Sequence, residues 1–241
     1  PATGRTRELI PREFSVLRGV KWGIVENGCV VWDYDKNEMI WRKTMPKGMV
    51  SKILKDVENS GAKGWIAEAY ANGIAYSDAN ARDYVASVAD KDLLEKTFVD
   101  YFLSRHVYVK DFYHQKDILD QAEKINIYFD DMETSRALRE KWKDLDDVAV
   151  TTSISGNAEF NAAGVDKGVG LAMLRTKLGI DRMHVIAFGD NENDLEMLEA
   201  VGCGVLMGNA PSELQKHFSF VTKSNDQDGI FQAFKELGVL N

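Results

Sequence analysis

Between residues 187 and 198 the sequence reads AFGDNENDLEML, an apolar run that ends at Gly189-Asp190 and passes into a helical pattern beginning near Asp194. Two carboxylates, Asp190 and Asp194, and two amides, Asn191 and Asn193, therefore gather where a strand ends and a helix starts. In an open α/β sheet, ligands bind in the crevice outside the carboxyl ends of the strands. A helix N-terminus there adds backbone N–H groups and the positive end of a dipole. Asp190 and Asp194, separated by one bend, suit a single hard cation, and Asn193 offers an amide to a phosphate oxygen. The same residue types also cap helices, so capping alone would account for Asn191, Asn193 and Asp194. The two roles are compatible.

A second candidate is Lys167, in GVDKGVGLAMLRTKLGI, at the start of a helical pattern whose Leu171, Leu174 and Leu178 make an inward stripe. A cation at a helix N-terminus opposes the dipole, which points to a phosphate or carboxylate beside it. A solvated surface lysine is the bland alternative. The third candidate is PATGR at 1–5, where Thr3 offers a hydroxyl, Gly4 a flexible backbone and Arg5 a guanidinium. Taken alone, a Thr-Gly pair is more often a turn than an anion site.

These residues need elements to hold them. Residues 21–41 are β-prone, with turn signals at Asn27-Gly28 and Asp35-Lys36-Asn37, and predict a hairpin. Val50, Ile53, Leu54 and Val57 fall at helical spacing within Lys47–Asn59. Strands are expected at GWIAEAY, GIAYS, KINIYF (124–129) and DVAVTTSIS, and helices over Leu93–Leu103 and Glu133–Trp142. Beyond Gly164 the rhythm changes: helix at 167–178, strand at 183–188, helix at 194–200, strand at CGVLM, helix near 211–216 and strand at FSFVT. That alternation predicts a parallel sheet with covering helices. The fold class expected is α/β, with a Rossmann-like core at 1–45 and 156–241 and an α+β insertion at 46–155.

Composition narrows the function. The chain has 241 residues, 44% of them hydrophobic and 28% charged, the balance of a globular protein with a real core. A net charge of -8 argues against nucleic acid, whose binders must neutralise phosphates with clustered Lys and Arg, and favours a small-molecule partner. No apolar run is long enough for a membrane span and the first residues are too polar for a secretory signal, so a cytoplasmic setting is expected. The two cysteines, Cys29 and Cys203, lack paired spacing, and the four histidines are dispersed, so neither a disulfide framework nor a histidine zinc site is expected.

The order of the motifs says more than any one of them. ATGR at 2–5, ENG at 26–28, a mixed insertion, KG at 167–168, GDNEND at 189–194, MGNA at 207–210 and SNDQDG at 224–229 together resemble the haloacid dehalogenase superfamily, in particular its Cof-type sugar phosphatases. The resemblance covers essentially the whole chain and is most specific towards the C-terminus. It implies a magnesium-dependent hydrolysis of a small phosphorylated metabolite, plausibly a hexose phosphate, through an aspartyl-phosphate intermediate. The inserted α+β cap would close over the core and select the substrate. In it Thr3 resembles the hydroxyl that hydrogen-bonds the transferring phosphoryl group, Lys167 the lysine that neutralises it, and Asp190 the acid that binds Mg²⁺. Asp194 would support the metal, Asn193 would contact phosphate or substrate, and Gly4, Arg5 and Asn27 would help to position the substrate.

One departure matters. The family's first motif, an Asp-x-Asp followed by Gly-Thr, should precede ATGR, and Asp33-Tyr34-Asp35 and Asp130-Asp131 do not replace it because neither leads into Gly-Thr. The expectation is that the chain beginning at Pro1 is incomplete and would not fold alone. The missing nucleophile leaves open a non-catalytic module that binds phosphate or metal, and the shared motifs leave open a sugar-phosphate mutase.

Overall fold

The structure is a computed structural model that describes residues 1–89, 96–152 and 156–240. It divides into two compact units, Pro1–Val165 and Asp166–Asn241.

The first unit opens with the ATGR segment, a short helix α1 (Arg12–Val16) and a three-stranded antiparallel meander of β1 (Trp22–Val25), β2 (Val30–Asp33) and β3 (Glu38–Arg42). The expected hairpin is thus present with a third strand. Helix α2 (Met49–Asn59) follows, burying Val50, Ile53, Leu54 and Val57 as the spacing predicts. Then come β4 (Trp65–Ala71) and β5 (Ile74–Asp78), joined by Asn72-Gly73. Both turn residues have positive φ (57° and 79°), the two-residue connection whose twist matches that of a hairpin. Helices α3 (Ala79–Ala89) and α4 (Lys96–Arg105) lead to β6 (Val107–Val109), α5 (Lys116–Leu119), β7 (Ala122–Phe129), α6 (Met132–Trp142), β8 (Val148–Thr151) and β9 (Asn157–Ala162). Of the expected helix over Leu93–Leu103, residues 93–95 lie outside the described residues, as do 153–155 of the strand expected at DVAVTTSIS.

Six of these strands form one sheet in the order β6-β5-β4-β7-β9-β8, antiparallel throughout except for β5 with β6. Strand β9 is not anticipated by the sequence reading, and it carries the sheet past residue 155, where the insertion is expected to end. Successive side chains in a strand point to opposite faces, and the middle of β4, β7 and β9 keeps that alternation. Ala67, Ala69, Ile125, Ile127, Ala158 and Phe160 share a core with residues of α2, α5 and α6, in which Trp142 meets Phe160 edge to face at 6.1 Å. The intervening residues, Glu68, Tyr70, Lys124, Asn126, Asn157, Glu159 and Asn161, are polar and also buried.

The second unit is α/β as expected. Helix α7 (Lys167–Leu178) spans the residues its periodicity predicts; its N-cap Asp166 accepts a hydrogen bond from Val169 N, and Gly179 ends it at φ 66°. Strand β10 (Ile186–Gly189), helix α8 (Leu195–Glu199) and strand β11 (Cys203–Leu206) make a parallel pair with its connecting helix. Helices α9 (Ser212–Gln215) and α10 (Gly229–Glu236) complete the unit. The strand expected at FSFVT reduces to a single parallel bridge of Val221 with Leu206. Among the described residues no helix is long and apolar enough to cross a membrane.

Candidate active site

The expected site residues fall into two groups, one in each unit.

In the second unit, β10 delivers Asp190 to its carboxyl end and the chain then turns through a 3-10 segment, Glu192–Asp194, into α8. The turn is tight enough that a Cβ on Gly189 would come within 2.4 Å of the Asp194 Cβ, so glycine is required there. Asn191 and Asp194 form a reciprocal capping box. The capping reading therefore holds for Asn191 and Asp194.

Lys167 and Asp194 are both buried, at 6% and 5% exposure, and Lys167 Nζ donates to Asp194 Oδ1 at 2.6 Å. The anion that a lysine at a helix N-terminus calls for is, within this unit, the carboxylate of Asp194. The other oxygen, Oδ2, accepts the backbone N–H groups of Asp190 (3.0 Å) and Asn191 (3.1 Å). Asp194, expected beside the metal, spends both oxygens on the protein. It ties the lysine to the loop and sets the backbone that carries Asp190.

Asp190 itself is exposed, and its Oδ2 accepts from Asn209 Nδ2 at 2.9 Å, while Asn209 Oδ1 accepts from Asn225 N at 3.0 Å. MGNA and SNDQDG, which sequence reading uses only as family markers, thus have a physical task in aiming Asp190. Among the described residues no group of three or more His, Cys, Asp or Glu is gathered as a metal site. Mg²⁺ is usually bound by one or two carboxylates together with water and substrate oxygens rather than by an all-protein cage. An exposed, hydrogen-bonded aspartate at the carboxyl end of a parallel strand fits that cation.

In the first unit, the ATGR segment runs parallel to β1, with Thr3 N donating to Ile24 O (2.9 Å) and Ile24 N to Pro1 O (2.9 Å). Arg5 N donates to Thr3 Oγ1 at 3.2 Å. Asn27 N donates to Thr3 O (3.1 Å), and the Asn27 side chain reaches Glu159 Oε2 (3.1 Å) and Asn161 Oδ1 (3.2 Å). Glu26 and Asn27 both hold positive φ, 55° and 54°, unusual for residues with a Cβ and maintained here by this network. A Cβ on Gly4 would lie 2.7 Å from Asn27 Oδ1, so a side chain there would displace the Asn27 amide. Thr3, Gly4, Arg5 and Asn27 are therefore one assembly, which their separation in sequence conceals.

Sequence reasoning missed three residues of that assembly. Lys124, Glu159 and Asn161 lie on the polar face of the sheet, and Lys124 Nζ donates to Gly4 O at 3.1 Å. The available signal was a lysine inside KINIYF and the alternation N-A-E-F-N-A, but polar residues at alternate strand positions ordinarily face water. Cys29 is not a candidate nucleophile: burial pushes its thiol up to about 12, leaving little thiolate at neutral pH.

A family model of haloacid dehalogenase-like hydrolases matches residues 2–234. The chain belongs to that family. A putative phosphatase of Haemophilus influenzae is 37% identical over 123 residues, which cover 51% of this chain and 44% of that protein, less than half its length. Phosphatase YwpJ of Bacillus subtilis is 26% identical over 252 residues, covering 98% of this chain and 86% of its own. Among solved structures, a sugar phosphatase of subclass IIB shares the fold at a TM-score of 0.76 and 20% identity, over 99% of this chain and 85% of that one. The class these relatives define is that of the phosphoric monoester hydrolases.

Proposed function

We propose that the protein hydrolyses a small phosphate monoester, a sugar phosphate by class, with Mg²⁺ as cofactor, in the cytoplasm. The observation that carries this reading is the Lys167–Asp194–Asp190 arrangement. One buried carboxylate fixes both a cation at a helix N-terminus and the loop that presents an exposed carboxylate at a strand's carboxyl end.

On this reading Asp190 holds the metal, Asp194 keeps the loop and Lys167 in register, and Lys167 offsets phosphoryl charge. Thr3 donates its hydroxyl to a phosphoryl oxygen, Gly4 and Arg5 shape the same loop, and Asn193 contacts phosphate or substrate. When bound, Mg²⁺ supplies Lewis-acid neutralisation of the phosphoryl oxygens. Residues 1–45 and 156–241 would serve as catalytic core and 46–155 as cap. The attacking aspartate of the family's first motif is assigned to no residue of this chain.

Phosphate monoesters are among the slowest substrates to hydrolyse unaided, with enzymes supplying up to roughly 10²¹-fold, so groups that stabilise charge dominate catalysis. The test is phosphate release by the full-length gene product from a panel of sugar phosphates, with and without Mg²⁺. Turnover that needs Mg²⁺, and falls by about 10²-fold or more in Asp190→Ala and Lys167→Met, is the expected result. Stabilisation by Mg²⁺ and phosphate without turnover would establish the binding-module reading instead, and an isomerised rather than hydrolysed sugar phosphate would identify a mutase.

A further inference from the structure

The buried charge on the sheet's polar face has no role in the reading above. Lys124 is 1% exposed and Glu159 3%, and they pair at 2.6 Å. Taking both charges out of water costs several kcal/mol per ion before their attraction is counted, and well-packed apolar residues often replace such pairs without loss. What distinguishes this pair is where its remaining hydrogen-bonding capacity goes. Glu159 also accepts from Asn27 Nδ2, and Lys124 also donates to the Gly4 carbonyl. The Lys124 ammonium lies 5.5 Å from the Tyr70 ring centre, and the Arg5 guanidinium 5.6 Å from that of Tyr101.

A peptide group is one conjugated unit. A cation on the Gly4 carbonyl draws electron density from the Gly4–Arg5 amide and makes the Arg5 N–H a stronger donor, as charge assistance and hydrogen-bond cooperativity require. That N–H points at Thr3 Oγ1. A threonine hydroxyl has one donor and two acceptor positions. With an acceptor position taken by Arg5 N, the hydroxyl hydrogen points away from the Arg5 N–H, which leaves it available to an incoming oxygen.

We propose that Lys124 is a positioning residue for Thr3: anchored by Glu159, it holds and polarises the Gly4–Arg5 peptide so that the Thr3 hydroxyl is presented as a donor. This rests on the reading of Thr3 as a phosphoryl contact. The sheet then sets the geometry of the ATGR loop through a residue that touches no substrate.

The experiment is a cycle of variants in the full-length protein, read as kcat and KM on its best sugar phosphate. Lys124→Met/Glu159→Gln removes both buried charges together, so no lone ion is left inside, and Thr3→Val removes the hydroxyl. Loss of positioning at about the 1 Å scale costs up to about 10²-fold, so kcat/KM of the Lys124→Met/Glu159→Gln variant is expected to fall by about tenfold or more, chiefly in kcat. In the Thr3→Val background the same pair of changes is expected to cost less than about twofold, because the residue it acts through is gone. A merely structural role would lower activity equally in both backgrounds, and that outcome, or no fall in either, overturns the proposal. Thr3→Val with unchanged kcat also overturns it while leaving the Asp190 and Lys167 reading intact. A wild type without turnover removes the functional reading itself. If the charge-free pair does not fold, Lys124→Arg, which keeps the charge and shifts the donors, is read in its place: a lowered kcat only when Thr3 is present supports the proposal, and equal loss or none overturns it.

Discussion

On one face of the six-stranded sheet, Ala67, Ala69, Ile125, Ile127, Ala158 and Phe160 pack into a core with α2, α5 and α6; on the other, Glu68, Tyr70, Lys124, Asn126, Glu159 and Asn161 are just as buried. The strands and their pairing are the same on both sides. The register sets Glu68 opposite Asn126 and Asn126 opposite Glu159, with Tyr70, Lys124 and Asn161 in the next row. The apolar face is held by non-directional area burial, so its partners need only fit. On the polar face each group needs a partner at a set distance, and that requirement fixes where the ATGR and Glu26-Asn27 segments lie.

Glu68 shows how this works. Its Oε1 accepts from Tyr70 (2.8 Å), Tyr128 (2.5 Å) and Asn126 (2.6 Å), and its Oε2 faces His106 Nε2. His106 Nδ1 lies 3.0 Å from Phe102 O, so both ring nitrogens face acceptors. Burial would raise the Glu68 carboxyl, but the His106 charge and the hydrogen bonds outweigh it and hold the group at about 2. Glu26, on the same side but without such a set of donors, is pushed up to about 8 by burial and then by Glu123.

The comparison can be broken from either face. Phe160→Ala should give the largest effect, a loss of about 4 kcal/mol in urea unfolding, since a fully buried phenyl ring is removed and a cavity remains. A loss below about 1 kcal/mol would mean that the apolar face can collapse around the gap. Next, Glu68→Gln should cost about 3 kcal/mol by removing the buried carboxylate that Tyr70, Tyr128, Asn126 and His106 Nε2 all meet, and Glu68→Gln/His106→Gln should cost less than the two single changes summed. Strict additivity would show that the pair is not one unit.

A smaller effect concerns pH. A carboxyl raised in the folded state favours the protonated form, so Glu26 withdraws stability progressively from about pH 4.5 to about pH 8. Glu68, held low, contributes stability above about pH 4.5 and loses it towards pH 2. Glu26→Gln should therefore flatten the decline in melting temperature between pH 5 and 8 and leave the acid limb unchanged; an unaltered alkaline slope would contradict the assignment. The smallest change is expected for Ser77→Ala. It removes one buried hydrogen bond, Ser77 Oγ to Ala67 O at 2.7 Å, and should cost about 1 kcal/mol by the same urea titration.

The sequence by itself determined the elements whose burial is one-sided. Helix α2 matches its periodicity because an apolar stripe at helical spacing has to face inwards. Helix α7 keeps the expected bounds, but its Leu171, Leu174 and Leu178 are only half-buried, and its buried residues are Lys167, Gly168 and Gly170. The βα rhythm after Gly164 marked the parallel pair because such units bury their strands between helices. It also placed Asp190 and Asp194 together at the end of β10, since Gly189, Asp190 and Asp194 are neighbours in the chain. Strand β9 was not legible: N-A-E-F-N-A reads as half-exposed, and its asparagines and glutamate are buried only because other polar groups meet them. The same reason hid Lys124, Glu159 and Asn161 as supports of Thr3 and Gly4. It also hid the engagement of both Asp194 oxygens within the protein. Hydrophobic burial leaves a periodic trace in the sequence because any apolar neighbour satisfies it. A buried hydrogen bond needs one particular partner at one distance, and for residues 120 positions apart, as with Gly4 and Lys124, only the tertiary structure supplies it.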